Sequence, residues 1–255
     1  MSQESTQSDL ISLSGKTALV TGAAKRIGRA VVHRLVREGL RVVVHYRDSA
    51  AEAQALVSDI AAQGGTAWAL AADFETPDTA ESLFEQAVAL AGPIDFLINS
   101  ASIFPEGTLR EMTSDDVTTN MNVNAMAPFL LGRAFASRNR AGAIINFLDT
   151  MIMDYDKRHV PYHLSKQALY SLTRMMAVEY APHVRVNAVA PGLVLPPPGR
   201  DEDYLRELAH TNPLQRYGST DGIAEAVVFL LRSGFITGQV IFIDGGRHLR
   251  GSMYG

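Results

Sequence analysis

The amino-acid sequence predicts one α/β domain: a doubly wound sheet of about seven parallel strands, with helices on both faces. Three observations lead there. Short β-branched runs alternate with longer helical stretches along most of the 255 residues. The runs, such as RVVVHY at 41–46, are apolar almost throughout, as strands covered from both sides must be. The first of them enters the glycine-spaced turn TGAAKRIG, which opens the first helix.

In order, the pattern predicts a strand over Thr17–Thr21, a helix over Ile27–Glu38 and a strand over Arg41–Tyr46. A helix over Ala50–Gln63, a strand over Thr66–Asp73, a helix over Thr79–Ala91 and a strand over Ile94–Asn99 follow. A helical region from about Val123 to Arg138 precedes the strand Ala143–Leu148. The helix Pro161–Tyr180, the strand Val184–Val189, the helix Gly222–Leu231 and the strand Gln239–Ile243 complete the alternation. Residues 1–14 are polar, lack a basic-then-apolar leader, and are expected to be a flexible lead-in to a single domain over 15–255. The composition breaks once, at LPPPGR (195–200), where three prolines prevent helix and a charged stretch follows. This excursion, near 195–212, is either a substrate loop or an ordinary surface detour.

A net charge of −4 without a long basic stripe argues against nucleic-acid binding. The absence of cysteine excludes disulfides and thiolate chemistry, and no apolar run is long enough for a membrane span. A cytoplasmic protein is the expectation. His159 and His163 are four apart, but Pro161 lies between them without an acidic partner at a metal-site spacing, so no metal is expected.

Chemistry concentrates in INFLDTMIMDYDKRHVPYHLSK, where Asp149 lies thirteen residues before Tyr162 and Lys166 four after it. Tyr162 and Lys166 share a helix face, and an ammonium there is expected to favour the phenolate and lower the phenol's pKa. Asp149, at the end of an apolar run, adds a carboxyl to the same pocket or merely ends a strand or caps a turn.

At TGAAKRIG, Gly22 permits the tight turn and Gly28 the close packing of the helix, whose N-terminus suits a pyrophosphate. Lys25 and Arg26 add two cations. After the second strand, Tyr46 stands where an NAD site usually has a carboxylate. Arg47 and Ser49 suit a 2′-phosphate instead, so NADP(H) is expected despite Asp48. Asp73 is placed for the adenine edge or as a helix-capping acid, and Asn99 through Ser102 keep small groups beside the cofactor.

Taken together, TGAAKRIG, the Asn99 loop, Asn124 in NVNAMAP, Tyr162-x-x-x-Lys166 and RVNAVAPG resemble the short-chain dehydrogenase/reductase family over Lys16–Gly246. Asp149, where most members have serine, the Lys25-Arg26 pair, HYRDSAAEA and the ending DGGRHLRG resemble its pteridine reductase branch, including dihydromonapterin reductases. Ser100, where the family often has asparagine, and Leu195, where threonine is common, depart from the pattern.

The resemblance implies a Rossmann-type fold and NADPH-dependent reduction of dihydromonapterin, dihydrobiopterin or dihydrofolate. Tyr162 with Asp149 would supply the proton, Lys166 would hold the nicotinamide ribose, and Asn124 would carry a water towards Lys166 unless it only bonds backbone. Ile27, Phe74, Ala101, Pro191, Gly192 and Leu193 join the cofactor contacts. Arg26 and Ser102 would bond the pterin or the cofactor phosphates, and Phe104 would stack on the pterin ring unless it is a buried loop phenylalanine. A carbonyl or ketoacyl reductase is the alternative enzyme, and a non-catalytic NADP-binding regulator the alternative outside catalysis. A wide apolar stripe after Tyr162, including Leu164, Leu169, Met175, Met176 and Val178, together with the family's habit, leads to the expectation of a homotetramer.

Overall fold

Seven strands form one sheet: β1 (Thr17–Val20), β2 (Arg41–Tyr46), β3 (Ala67–Ala71), β4 (Phe96–Asn99), β5 (Gly142–Phe147), β6 (Val184–Pro191) and β7 (Val240–Ile243). Every pairing is parallel, in the order β3-β2-β1-β4-β5-β6-β7. The structure, a computed structural model, describes residues 10–249 apart from 77 and 198. Among the described residues, eight α-helices accompany the strands: α1 (Arg26–Arg37), α2 (Ala50–Ala62), α3 (Thr79–Ala91), α4 (Ser114–Met121), α5 (Ala127–Ala136), α6 (Val160–Glu179), α7 (Glu202–Leu208) and α8 (Thr220–Arg232).

The period-two alternation of a strand decides which side chain meets which helix layer. Ala18 and Val20 of β1 face the layer of α1, α2 and α8, with Val31, Leu35, Leu56 and Val227, whereas Leu19 faces the layer of α3, α5 and α6, with Leu83, Phe84 and Leu131. Val42 and Val43, Ile98 and Leu97, and Ile145 and Ile144 repeat the division. Each of these valine, leucine and isoleucine side chains is fully buried and contributes about 1.5–3 kcal/mol relative to exposure. Truncating Leu97 to alanine is expected to cost about 2–5 kcal/mol.

The strand order reverses between β1 and β4, and the crevice above that point positions the site. The hydroxyl oxygen of Thr21 accepts from the N–H groups of both Ser100 and Ala101 at 3.0 Å, so the turns after β1 and β4 are tied to each other.

Several boundaries differ from the sequence expectation. β3 ends at Ala71, so Asp73 lies beyond the strand rather than closing it. The helical region begins at Ser114 rather than Val123, passes through a π-turn at Asn122–Met126 and continues as α5. Its polar start is held by a capping box, in which Thr113 and Asp116 satisfy each other's backbone N–H. Of the N-terminal lead-in, residues 1–9 lie outside the described residues. Leu13 is buried, and the Ile11 N–H donates to the Arg232 carbonyl at 2.8 Å. Among the described residues no helix is long and apolar enough to cross a membrane.

Candidate active site

At the first turn, a Cβ on Gly22 would stand 2.7 Å from Ala101 Cα, and one on Gly28 would collide with the Gly22 carbonyl. Gly22 also has φ +60°, which an L side chain rarely adopts. α1 carries no acidic residue in its first turn, so its N-terminus keeps its full attraction for an anion. His45, to which the sequence reading gave no role, shapes this turn. Its Nδ1 accepts from the Gly22 N–H at 3.1 Å, and its Nε2 donates to the Ala72 carbonyl at 3.1 Å. Burial lowers its pKa to about 4, so the ring stays neutral with one tautomer fixed by these two partners. Phe74 stacks on it at 4.4 Å.

Tyr46, Arg47, Ser49, Asp73, Lys25 and Gly22 line one end of the cleft. Here the structure adds an acid that sequence spacing did not reveal. The Arg47 guanidinium bonds Asp48 at 2.6 Å and Glu75 at 2.9 Å. Lys25 likewise pairs with Glu52 at 2.6 Å. Asp73 turns an oxygen to the Glu75 N–H at 3.0 Å, which closes a local turn and does not cap α3, whose N-cap is Asp78, and it lines the cleft.

A larger hollow, of about 620 Å³, continues past Arg26, Ile27 and Gly28 to Asp149, Tyr162, Lys166 and the Pro191-Gly192-Leu193 turn. Arg26 has φ +53° and donates to the Pro196 carbonyl at 2.7 Å, which straps the first turn to the 195–200 loop. Leu195, Pro197 and Tyr204 of α7 line the same hollow, so the proline-rich excursion borders the cleft. Pro198 lies outside the described residues.

In the centre, the Tyr162 hydroxyl donates to Asp149 Oδ2 at 2.9 Å. Asp149 Oδ1 accepts from the Met151 N–H at 2.8 Å and caps the short turn Thr150–Met153. The carboxyl therefore has both roles foreseen for it, turn cap and partner of the phenol. Burial pushes Asp149 above the ordinary carboxylate range, although the Met151 N–H, Tyr162 and Lys166 pull it down and Asp156 adds to the rise. Burial, reinforced by Asp149, pushes Tyr162 well above its ordinary value. Burial lowers Lys166 to about 8, against the attraction of Asp149. This overturns the expected lowering of the phenol by Lys166. The ammonium donates to the Phe147 carbonyl at 2.7 Å and sits 5.6 Å from the centre of the Tyr162 ring.

Asn124 lies in the π-turn and is fully buried. Its Oδ1 accepts from the Ile103 N–H (2.9 Å) and the Ser102 hydroxyl (3.0 Å), and its Nδ2 donates to the Ile103 carbonyl (3.1 Å) and Ser165 Oγ (3.0 Å). It clamps the Asn99 loop to α6. Asn99 donates to Asn146 Oδ1 at 2.8 Å, while its own Oδ1 is buried and accepts nothing among the described residues. Phe104 is 52% exposed at the cleft, not buried in the core, and meets Tyr162 edge-on at 4.5 Å.

Behind Asp149, the Thr150 hydroxyl donates to Asp244 Oδ2 at 2.5 Å, which also takes the N–H and Nδ1 of His248 at 2.7 and 2.8 Å. DGGRHLRG thus anchors against the turn that carries Asp149, with residues 250–251 of that motif outside the described residues. A Cβ on Gly192 would stand 2.7 Å from Asp244 Cα, so this glycine is needed where the β6 and β7 ends converge.

These residues fit a dinucleotide. The glycines admit close backbone approach, the helix N-terminus and two cations favour phosphate, and Asn99 Oδ1 awaits a donor. A family model described as enoyl-(acyl carrier protein) reductase matches residues 22–248. The chain is 32% identical over 248 residues to 3-oxoacyl-(acyl-carrier-protein) reductase FabG of Staphylococcus epidermidis, covering 92% of this chain and 99% of that one. It superposes on FolM alternative dihydrofolate reductase 1 of Brucella canis, complexed with NADP, at a TM-score of 0.89 and 32% identity, covering 93% and 96% of the two chains. A blue fluorescent protein from a metagenomic library, in complex with NADPH, matches at 0.87 and 34% identity, covering 93% and 99%. With its parallel sheet, glycine turn and buried Tyr162–Lys166 pair, this chain belongs to the short-chain dehydrogenase/reductase family of NAD(P)-dependent oxidoreductases.

Proposed function

We propose that this protein uses NADPH to reduce a dihydropterin, with dihydromonapterin, dihydrobiopterin or dihydrofolate as the substrate class, to its tetrahydro form. The observation that carries the reading is the Asp149–Tyr162 hydrogen bond beside the exposed ring of Phe104. Its cofactor is NADP(H), which supplies the hydride. Lys25, Arg26 and the α1 N-terminus would hold the phosphates, Arg47 and Ser49 the 2′-phosphate, and Lys166 the nicotinamide ribose. Reducing a carbon–nitrogen double bond requires a proton on nitrogen. A buried phenol bonded to a carboxyl, both shifted towards their protonated forms, is a source of such a proton. Titration of the two belongs to the pair. Ser102 and Arg26 border the space the pterin edge would occupy, and Phe104 offers it a ring face. Likeness to the Brucella protein supports the same substrate class.

Likeness to FabG favours a second reading, reduction of a ketoacyl thioester or simple carbonyl. NADPH oxidation with the three dihydropterin or folate substrates and a ketoacyl thioester, side by side, separates them. Turnover of a dihydropterin with little on the thioester supports the first reading, and turnover of the thioester alone replaces it with the second.

We also propose a homotetramer. Leu164, Met175 and Val178 of α6 are 43%, 65% and 80% exposed, an apolar row at helical spacing that a second copy would cover. A monomer mass by light scattering at micromolar concentration would end that proposal.

A further inference from the structure

We infer that His159, held by Asp156, is a positioning residue that fixes the ring of Phe104 as a one-sided stacking platform for a planar substrate, an inference that rests on the pterin reading. An exposed loop phenylalanine ordinarily turns freely about its side-chain bonds. Phe104 is held from two directions instead. One face lies on the His159 ring at 3.9 Å and 16°, and its ring meets Tyr162 at 4.5 Å and 86°. His159 is itself locked, because its Nδ1 bonds Asp156 Oδ2 at 2.8 Å. Asp156 Oδ1 accepts the N–H groups of Arg158 at 2.8 Å and His159 at 3.2 Å, so the carboxylate is fixed by its own turn.

The backbone reinforces this arrangement. The Gly107 N–H donates to the Arg158 carbonyl at 2.7 Å, and the Val160 N–H donates to the Gly107 carbonyl at 2.9 Å. The chain that carries Phe104 is therefore fastened on both sides of His159, at the entry to α6. A Cβ on Gly107 would stand 3.3 Å from Pro161 Cδ, so a side chain there would press on the same junction.

A ring has two faces, and His159 covers one. A planar ligand stacking on Phe104 must take the other. The ring that meets Phe104 edge-on belongs to Tyr162, whose hydroxyl bonds Asp149. The platform therefore sets the substrate's plane relative to the proton donors, and His159 acts on substrate only through Phe104. Loss of one ordered aromatic contact changes affinity by about ten-fold.

The test compares wild type with His159→Ala, His159→Phe and Asp156→Asn, reading kcat and KM for a dihydropterin, kcat and KM for a ketoacyl thioester, and NADPH affinity. His159→Ala is expected to raise the dihydropterin KM about ten-fold while kcat stays within about two-fold, with thioester kinetics and NADPH affinity unmoved. His159→Phe, which restores a ring without the Asp156 bond, is expected to bring KM back part of the way, to a value between wild type and His159→Ala. Should His159→Ala not fold, Asp156→Asn serves instead, with a smaller rise in the same KM. An unchanged dihydropterin KM, or an equal loss on both substrates, overturns the platform while leaving the pterin reading intact. Wild-type enzyme that turns over the thioester and no pterin overturns the reading, and the platform with it.

Discussion

Tyr162 donates its hydroxyl proton to Asp149 across 2.9 Å, and the two groups are pushed towards protonation together. Burial drives both shifts, so each group favours its protonated form more than it would in water. That suits delivery of a proton to a nitrogen better than abstraction of one from an alcohol.

Replacing Tyr162 with phenylalanine removes the hydroxyl and keeps the ring that borders Phe104. Reduction is expected to slow by about 10²–10⁴-fold. NADPH affinity, read by fluorescence titration, should change far less. Unchanged turnover would remove Tyr162 from the mechanism.

On the proposed mechanism, Asp149 is expected to make the reduction rate depend on pH with a definite sign. Its carboxyl titrates above the ordinary 3.8, so it is a proton source below that raised value and loses the role as pH climbs through it. The rate of reduction should therefore fall with rising pH on a limb that Asp149→Ser abolishes. The same variant should lose more pterin activity than thioester activity. A pH–rate profile in Asp149→Ser that keeps the wild-type limb would assign the titration elsewhere.

Arg47 is engaged by Asp48 and Glu75, so a 2′-phosphate has to compete for it. Arg47→Ala is expected to weaken NADPH by about 1.5–3 kcal/mol and NADH by much less. Glu75→Gln, which frees the guanidinium from one carboxylate, should tighten NADPH. Dissociation constants for the two cofactors in both variants check this, and weaker NADPH binding in Glu75→Gln would contradict it.

His45 links the glycine turn to acid stability. Its folded pKa of about 4 is below its unfolded 6.5, so its contribution is complete above 6.5 and is lost as pH falls towards 4. The whole shift amounts to about 3 kcal/mol. His45→Phe leaves the Gly22 N–H and the Ala72 carbonyl without this partner. It should cost about 1–3 kcal/mol at neutral pH and flatten stability between about pH 6.5 and 4. Urea unfolding across that range measures both.

Apolar runs made the strands legible, because β2 and β5 bury nearly every side chain and leave no polar face to confuse the period. The start of the long helical region was not. Ser114–Met121 reads SDDVTTNM, with too few apolar residues to carry a stripe, and its one local signal was the Thr113–Asp116 capping pair. Spacing brought Asp149, Tyr162 and Lys166 to one place but could not orient the Lys166 ammonium, which found a carbonyl from β5 instead of the phenol. Contacts made across the chain were beyond sequence altogether. Glu75 on Arg47, His159 behind Phe104 and His45 beneath Gly22 each join segments whose nearness only the folded sheet creates.

The carboxylate of Asp244 joins the turn beside Asp149 to His248, near the far end of the chain. The turn that carries Asp149 is therefore braced by a segment 94 residues further along the chain. A substitution at His248 would loosen that brace from a distance, without touching Tyr162 or the glycine turn.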